Sequence, residues 1–304
     1  MKSTYPETSG GWRKYPQNPV LGNPQMGTCF DVFLLEDNDE YQMFYSWRPK
    51  KSLAVSSSAD GIHWSEPNIL LAPNPASGWE DGLNRNSVLR RGNQWHMWYT
   101  GQARGHSWIG YATSEDGRHW VRASEQPVLF SERPHEGASV MNPFVLWDSD
   151  AQLYRMWYSA GETYEPNVLC YATSADGLHW NKLPANPIFC ADPSHPFEQN
   201  RIGACQVLLC DGWHYLFYIG YEDIHTARIC VARSRNGITQ WQRLSANPIV
   251  SPSKDAWDSD ACYKPFAIRD EKKQRWLLWY NGRRQSNEYI GLVVHEGLDL
   301  GFDT

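Results

Sequence analysis

The chain has 304 residues, of which 41% are hydrophobic and 20% charged, which is the composition of a folded protein rather than a disordered one. With a net charge of −6, no Lys/Arg-rich run and no stretch approaching a membrane span, we expect neither a nucleic-acid nor a membrane partner. Seven cysteines without a C-x-x-C pair, and a start at Met1 that lacks the apolar core of a signal peptide, predict a cytoplasmic protein with reduced thiols.

Five units of the chain share one order of predicted strands. The first strand of each unit is an apolar run: Val32–Leu35, Ser87–Arg90, Phe144–Trp147, Gln206–Leu209 and Pro265–Ile268. The second strand ends in Met or Leu, then Phe or Trp, then Tyr; these tyrosines are Tyr45, Tyr99, Tyr158, Tyr218 and Tyr280. Third strands follow, such as Ile109–Thr113 and Leu169–Thr173. The pattern predicts one antiparallel meander per unit.

Four units then carry a Ser-x-(Asp/Asn)-Gly turn followed by a tryptophan. These tryptophans recur about every 60 residues, at Trp64, Trp120, Trp180 and Trp241. Asp-Gly and Asn-Gly are typical of tight turns because both residues tolerate positive φ. Since the Ser, Asp, Gly and Trp recur in the same place, the repeat explains them, and the histidines that precede three of the tryptophans are not expected to bind metal.

The fifth unit ends without its tryptophan strand, and the N-terminus supplies a matching segment. Trp12–Leu21 resembles Trp180–Ile188 and Trp241–Ile249, with Asn-Pro at the same offset. We therefore predict an all-β fold, a five-bladed β-propeller of four antiparallel strands per blade, closed by the N-terminal strand in the last blade. The predicted single domain spans 1–304, with blades at approximately 28–73, 83–131, 139–190, 202–251, and 260–304 plus 10–22.

Residues at the start of each first strand are candidates for chemistry, because first strands line the axis of a propeller. The residues aligned just before these strands are Asp31, Asn86, Pro143, Cys205 and Lys264. They differ in every blade, so the repeat does not account for them. A carboxylate buried at the mouth of the channel must be hydrogen-bonded, paired or functional, and we predict Asp31 as a catalytic residue.

Acidic residues also recur in the segments between blades, at Glu80, Glu136, Glu198 and Asp258. Their recurrence favours a structural role, such as capping a turn or pairing with Arg, although Glu136 remains a candidate general acid. Asp260 has no counterpart in the other blades and is the second predicted carboxylate. No His/Asp/Glu cluster has ligand spacing, so neither a metal nor another cofactor is predicted.

Polar side chains near the predicted channel mouth are candidate substrate contacts, although a solvated loop is the alternative for each. They come from the loops after the second strands and from the segments that lead into the first strands. They are Trp47, Arg85, Asn86, Asn142, Arg201, Glu222, Lys264 and Arg283.

The blade sequence Tyr-Ala-Thr-Ser-x-Asp-Gly-x-His-Trp, at 111–120 and 171–180, resembles the propeller glycoside hydrolases of families 32, 43, 68 and 130. In families 32 and 43 the resemblance implies three carboxylates, from the first, third and fourth blades. The first matches Asp31, whereas the third falls on Asn142 and the fourth on Ala204. The segment Arg201–Ala204 is similar to the Arg-Ile-Gly-Ala of family 130, whose members cleave mannosides by hydrolysis or phosphorolysis.

These observations predict a glycoside hydrolase acting on a glycoside or oligosaccharide in the central funnel. Asp31 would serve as base or nucleophile, with Asp260 or Glu136 as the acid. A glycoside phosphorylase is one alternative, in which Arg85, Arg201 and Lys264 hold the phosphate. A propeller that binds or modifies carbohydrate without hydrolysis is another. The sequence leaves the sugar, the linkage, the stereochemical outcome and the oligomeric state open.

Overall fold

The computed structural model describes residues 5–37 and 40–303, and the side chains of all of these except Asp37, Ala204 and Cys205. The described residues form 21 β-strands and four 3₁₀ helices of three residues each. The helices span Arg48–Lys50, Pro75–Ser77, Pro134–Glu136 and Pro196–Glu198. None of the described helices has the length and apolar character needed to cross a lipid bilayer.

The strands form five separate antiparallel sheets. Blade 1 contains β2 (Cys29–Asp37), β3 (Glu40–Trp47), β4 (Ser52–Ser58) and β5 (Asn68–Leu71). Blade 2 contains β6 (Gly82–Arg91), β7 (Gln94–Ala103), β8 (His106–Ser114) and β9 (Val121–Arg122). Blade 3 contains β10 (Ser139–Asp148), β11 (Leu153–Gly161), β12 (Pro166–Ser174) and β13 (Asn181–Lys182), with β14 (Phe189–Cys190) added beside β12. Blade 4 contains β15 (Arg201–Cys210), β16 (Trp213–Tyr221), β17 (Ala227–Ser234) and β18 (Gln242–Arg243).

The N-terminal strand completes the fifth blade. This sheet has the order β1 (Trp12–Lys14), β21 (Asn287–Glu296), β20 (Arg275–Arg284) and β19 (Ala261–Asp270). Trp12 is opposite His295, and Lys14 is opposite Val293. The five sheets confirm the predicted five-bladed β-propeller, including the contribution of the N-terminus to its last blade.

The chain divides into two compact units. The blade 4–5 unit comprises Met1–Val32, Gly61–Trp64 and Ala191–Thr304, and the blade 1–3 unit comprises Phe33–Asp60 and Ser65–Cys190. Each unit has its own core, and the two are described separately below. The assignment of 1–304 to a single domain stays a prediction.

The apolar pairs that end the second strands build these cores. Trp98 and Tyr158 are fully buried in the cluster of the blade 1–3 unit, and Phe217 and Tyr280 in that of the blade 4–5 unit. Fully burying an aromatic side chain contributes about 1.5–3 kcal/mol, so these strands are a main source of stability. The tyrosine hydroxyls also bind the acids of the inter-blade segments, as described below.

The Ser-Asp-Gly turns are closed by their own side chains. In blade 3, Asp176 Oδ1 accepts hydrogen bonds from the backbone N–H groups of Leu178 and His179, at 2.9 and 2.8 Å. The His179 ring contacts the other carboxylate oxygen at 2.7 Å. Gly177, at φ 80°, accepts a hydrogen bond through its carbonyl from the Trp98 indole of blade 2 at 2.9 Å. The motif therefore joins neighbouring blades, which agrees with its structural interpretation.

Candidate functional site

Each first strand from blade 2 to blade 5 contains a β-bulge. The register shifts between Asn84 and Ser87, Met141 and Phe144, Gly203 and Cys205, and Tyr263 and Phe266. The bulges place Arg85, Asn142 and Lys264 at φ 52–54°, and Asp31 of blade 1 has φ 62°. Such left-handed backbone is uncommon for residues other than glycine.

These bulges correct the alignment that the sequence suggested. The structural counterparts of Asp31 in blades 2 and 3 are Arg85 and Asn142, one residue before the predicted Asn86 and Pro143. The positions also lie inside the first strands rather than before them, because those strands are longer than predicted. An alignment of strands by residue number assumes that each residue pairs with one residue on the neighbouring strand. A bulge adds one unpaired residue, so the alignment is shifted by one position beyond it.

At three of the left-handed positions, a polar side chain on the second strand of the preceding blade accepts a hydrogen bond from the backbone N–H. The backbone N–H of Asp31 donates to Asn281 Oδ1 at 2.9 Å, and that of Asn142 donates to Thr100 Oγ1 at 3.1 Å. The N–H of Arg85 donates to Ser46 Oγ at 3.0 Å. Sequence analysis missed this role, although all three polar residues follow the repeated tyrosine and could have been found there.

In the blade 4–5 unit, the predicted residues Asp31 and Lys264 form a buried ion pair. Lys264 Nζ lies 2.7 Å from Asp31 Oδ1, and the two residues are only 9% and 5% exposed. The ammonium also lies 4.5 Å from the ring centroid of Phe30 and 5.1 Å from that of Tyr263. The two aromatic rings hold the Lys264 ammonium in place, and the ammonium in turn restricts the orientation of the Asp31 carboxylate.

Tyr263 extends this cluster away from the ion pair. Burial raises the pKa of the Tyr263 hydroxyl well above its usual value, so the proton stays in place and is donated to the Glu288 side chain. Tyr263 also packs in one apolar cluster with Tyr221, whose ring centroid is 6.0 Å from the guanidinium of Arg201. The predicted Arg201 thus lies next to an aromatic platform, with its Nε 2.6 Å from Asn200 Oδ1.

Two further predicted residues of this unit, Glu222 and Asp260, lie in loops, and Arg283 lies near the end of β20. Glu222 binds the Arg228 guanidinium at 2.5 Å, which fixes the loop between β16 and β17. Arg283 donates to the His225 carbonyl of that same loop at 2.6 Å. Asp260 accepts a hydrogen bond from the Gln285 N–H at 2.6 Å and so caps the turn between β20 and β21.

In the blade 1–3 unit, Arg85, Asn86 and Asn142 lie on neighbouring first strands. The guanidinium of Arg85 reaches from β6 toward β10, where it contacts the Met141 sulfur and lies 3.3 Å from the Tyr164 carbonyl. Asn86 and Asn142 are 7% and 6% exposed. Their side-chain nitrogen and oxygen atoms have no hydrogen-bond partner among the described residues.

Trp47 ends β3 of the same unit and is partly exposed. The Lys50 ammonium lies 5.9 Å from its ring centroid, at a distance typical of a weak cation–π contact. The contact with Lys50 fits an ordinary surface position, so the role of Trp47 in substrate binding stays a prediction.

Glu136 belongs to a repeated structural group. It is fully buried, accepts hydrogen bonds from the Tyr158 hydroxyl at 2.8 Å and the Lys182 ammonium at 2.8 Å, and caps the backbone at Glu132 and Arg133. The same acid–tyrosine–cation group occurs in blades 2, 4 and 5. Its other members are Glu80–Tyr99–Arg122, Glu198–Tyr218–Arg243 and Asp258–Tyr280–Lys14.

The electrostatics of Glu136 do not suit a general acid. Burial by itself would raise its pKa, but the hydrogen bond from Lys182 and those from the Glu132 N–H and Tyr158 outweigh that effect and hold the pKa below its usual value. A general acid must carry a proton near the working pH. The geometry therefore favours the structural interpretation, and Glu136 has no place in the site proposed below.

Comparison with known proteins identifies the family. The family described as "Glycosyl hydrolases family 32 N-terminal domain" matches residues 33–187, just over half of the chain. The chain belongs to this family. Its membership confirms the resemblance to the propeller glycoside hydrolases that the blade sequences indicated.

Two uncharacterised Mycobacterium tuberculosis proteins, from strains CDC 1551 and H37Rv, resemble this family 32-type chain. They are 30% and 31% identical to it over 239 and 241 residues, covering 75% of this chain and 76% of each relative.

Solved structures of glycoside hydrolases share its fold. A thermostable family-43 glycoside hydrolase superposes with a TM-score of 0.71 at 17% identity, over 94% of this chain and 97% of that one. A structure from the GH130 family of mannoside phosphorylases, described as containing hydrolases that target β-1,2 mannosidic linkages in Candida mannan, superposes with a TM-score of 0.69 at 15% identity, over 96% of both chains. At these identities the likeness shows the fold alone.

Proposed function

We propose that the protein hydrolyses the glycosidic bond of a small glycoside or oligosaccharide, with Asp31 as its base or nucleophile. Family membership supports a glycosidase-type enzyme with a carbohydrate substrate. The observation that carries the proposal is the buried ion pair of Asp31 and Lys264, which lies outside the repeated acid–tyrosine–cation groups.

The energetic cost of this arrangement supports a functional role. Withdrawing a carboxylate and an ammonium from water costs several kcal/mol per ion before their attraction is counted. The other buried acid–lysine pairs, such as Asp258 with Lys14, belong to the repeated structural group, whereas the pair of Asp31 and Lys264 does not. A buried ion pair that the repeated scaffold does not require is therefore a candidate for a functional role.

Lys264 prepares Asp31 for either role that glycoside cleavage offers. A base or nucleophile must be an ionised carboxylate, and an ammonium 2.7 Å away compensates that charge inside the protein. Because Phe30 and Tyr263 flank the ammonium, it has little freedom to move away. Lys264 is therefore proposed as the residue that positions Asp31.

Asp260 is proposed as the acid. Its carboxyl is partly exposed and forms no ion pair with a described residue, so it can turn toward a bound substrate. Glu136, the other predicted acid, is held in its ion pair with Lys182. Phosphorolysis remains an alternative, which the likeness to the GH130 structure and the position of Arg201 beside Tyr221 support.

The test is turnover of aryl furanosides, aryl pyranosides and short oligosaccharides, with and without inorganic phosphate. Wild type would be compared with Asp31→Asn and Asp260→Asn. The matched control is Asp258→Asn, which also removes the charge of a buried acid paired with lysine, at 2.6 Å from Lys14. Turnover would be normalised to folded protein, since both buried pairs contribute to stability.

Loss of the catalytic carboxylate is expected to lower kcat by about 10²–10⁴-fold in Asp31→Asn, with Asp258→Asn close to wild type. Equal losses in the two variants would assign Asp31 a structural role. Turnover that requires phosphate would replace hydrolysis by phosphorolysis, and sugar binding without any turnover would favour the non-hydrolytic alternative.

A further inference from the structure

Glu288 is a buried carboxylate of blade 5 that the proposed mechanism does not use. It lies near the start of β21 and is only 7% exposed. It does not belong to the repeated acid–tyrosine–cation groups, whose acids come from the segments between blades. Three residues before the strand partner of each repeated tyrosine, the other blades have Lys51, Ser107, Asn167 and Ala227. The repeat therefore does not account for an acid at this position.

The sheet of blade 5 brings Glu288 and Tyr263 to the same face. Tyr263 is opposite Asn281, and Glu288 is opposite Arg283. Residues opposite each other, or two apart on one strand, share a face of an antiparallel sheet, so these four side chains lie on one face. There the Tyr263 hydroxyl donates its hydrogen bond to the Glu288 side chain, which links the first strand of the blade to the third.

The segment that carries Asp31 is held against these residues. The Glu288 N–H donates to Thr28 Oγ1 at 3.4 Å, and Asn281 Oδ1 accepts from the Asp31 N–H at 2.9 Å. Burial, and then the charge of Glu288, raise the pKa of the Cys29 thiol, in agreement with a carboxylate close to this segment. Glu288 therefore lies where it can influence the surroundings of Asp31.

Tyr263 connects Glu288 with the ion pair. The Lys264 ammonium lies 5.1 Å from the ring centroid of Tyr263 and 2.7 Å from Asp31 Oδ1. The attraction between a ring and an ammonium depends on the ammonium lying over the face of the ring. A hydrogen bond at the hydroxyl limits the tilt of the Tyr263 ring, so Glu288 restricts the ring, the ring restricts Lys264, and Lys264 restricts Asp31.

We infer that Glu288 is a positioning residue for Asp31, because its hydrogen bond with Tyr263 keeps that ring against the Lys264 ammonium. The inference rests on the proposed function, which makes Asp31 the base or nucleophile. Rates of bond cleavage depend steeply on the placement of the reacting group, and a shift of about 1 Å can cost about 10²-fold. A residue that acts in this way needs no contact with the substrate, which agrees with the burial of Glu288.

Three variants interrupt the connection at defined points. Glu288→Leu removes the acceptor, Glu288→Gln keeps an acceptor oxygen, and Tyr263→Phe keeps the ring but removes the hydroxyl. The matched control is Tyr280→Phe, because the Tyr280 hydroxyl donates to Asp258 at 2.9 Å in the same blade but within the repeated structural group. The kcat and KM of each variant would be measured on the panel of glycosides described above and normalised to folded protein.

Glu288→Leu and Tyr263→Phe should each lower kcat about tenfold with little change in KM, and the double variant should be no slower, because both changes break the same hydrogen bond. Glu288→Gln should recover most of kcat. Tyr280→Phe should lower the unfolding temperature and keep the wild-type kcat. If Glu288→Leu does not fold, Tyr263→Phe decides, since it removes a single hydroxyl.

Four results would overturn the inference. These are a wild-type kcat in Tyr263→Phe, losses that multiply in the double variant, a Glu288→Gln as slow as Glu288→Leu, and an equal loss of kcat in Tyr280→Phe.

NMR of isotopically labelled lysine separates failure of this inference from failure of the proposed function. The side-chain signal of Lys264, identified by its absence from Lys264→Arg, is shifted by the rings of Phe30 and Tyr263. If it changes in Glu288→Leu and Tyr263→Phe but not in Tyr280→Phe, in a protein that cleaves no glycoside, the connection stands and the hydrolase is removed. Cleavage at the wild-type rate with an unchanged signal in both variants would keep the hydrolase and remove the inference.

Discussion

Replacing Glu136 by glutamine separates the structural interpretation of this residue from the catalytic one. Gln keeps the shape of the side chain and can still bond the Tyr158 hydroxyl. It removes the negative charge, so the Lys182 ammonium, 4% exposed and 2.8 Å from the Glu136 carboxylate, loses its buried partner. Breaking one side of a buried ion pair costs about 3–5 kcal/mol of unfolding free energy. Because Gln retains part of the hydrogen bonding, we expect about 3 kcal/mol, at the lower end of that range.

Glu132 supplies a matched control beside the same lysine. Its carboxylate lies 3.1 Å from Lys182 Nζ, but its side chain is 53% exposed. Exposed ion pairs contribute about 0–1 kcal/mol, so Glu132→Gln should change the urea midpoint little. Equilibrium urea denaturation of wild type and both variants at pH 7 would measure the difference.

The pH dependence provides a second readout. The folded-state pKa of Glu136 lies below its usual value of 4.5, so its ionised form contributes stability that is complete above that pH. That contribution is lost as the pH falls through the lower folded-state pKa. The gap between wild type and Glu136→Gln should therefore shrink below about pH 4.5. A variant as stable as wild type but without turnover would refute the reasoning and restore Glu136 as a candidate acid.

Three further predictions follow from the described contacts. Lys264→Met should lower kcat about a hundredfold, because Asp31 loses the group that positions it, and Lys264→Arg should recover part of that loss in the same turnover assay. Among the described cysteines, Cys190 is exposed, whereas burial raises the pKa of Cys170 to about 12, so Cys190→Ser should remove the fast phase of thiol labelling at pH 8. Burial, and to a lesser extent the charge of Arg91, lower the pKa of His96, so the neutral form is favoured in the folded state. Wild type should therefore lose stability as the pH falls below 6.5. In His96→Gln, the unfolding temperature should depend less steeply on pH over the same range.

The fold could be predicted because its determinants recur. Each blade repeats an aromatic second strand, and four units carry a Ser-x-(Asp/Asn)-Gly turn that is closed by its own side chains. The fifth unit, which lacks its tryptophan strand, could therefore be compared with the other four. The segment at Trp12 was recognised as the missing strand on that basis, and β1 pairs with β21 as expected. The acids that recur between blades were likewise expected to cap turns or bind cations, which Glu80 and Arg122 illustrate.

The candidate site was harder to predict, because a bulge changes the count of residues along a strand. Alternation alone aligned Asn86 and Pro143 with Asp31, whereas the left-handed backbone lies at Arg85 and Asn142. No residue type in the sequence marks these positions, since Asp, Arg, Asn and Lys all occupy them. The register shifts and the left-handed φ values identify the bulges, and both are properties of the folded backbone. The polar residues that follow the repeated tyrosines, Ser46, Thr100 and Asn281, were the one sequence signal of these positions.

Comparison between blades therefore distinguishes structural from functional features in two ways, first for the backbone and then for the side chains. The bulged backbone recurs between blades and belongs to the fold, so its strain by itself does not mark a catalytic residue. The side chains placed on it do not recur. Asp31 and Lys264 neutralise each other inside the protein, and the amide of Asn142 has no hydrogen-bond partner within the part of the chain that the structure describes. The scaffold requires none of these costs, since Glu80, Glu136, Glu198 and Asp258 already provide its buried ion pairs. Selection for binding or catalysis would retain side chains that destabilise the fold and differ between blades, on a backbone that the blades share. Substitution of these side chains therefore tests function, whereas a change in the bulges would test the fold.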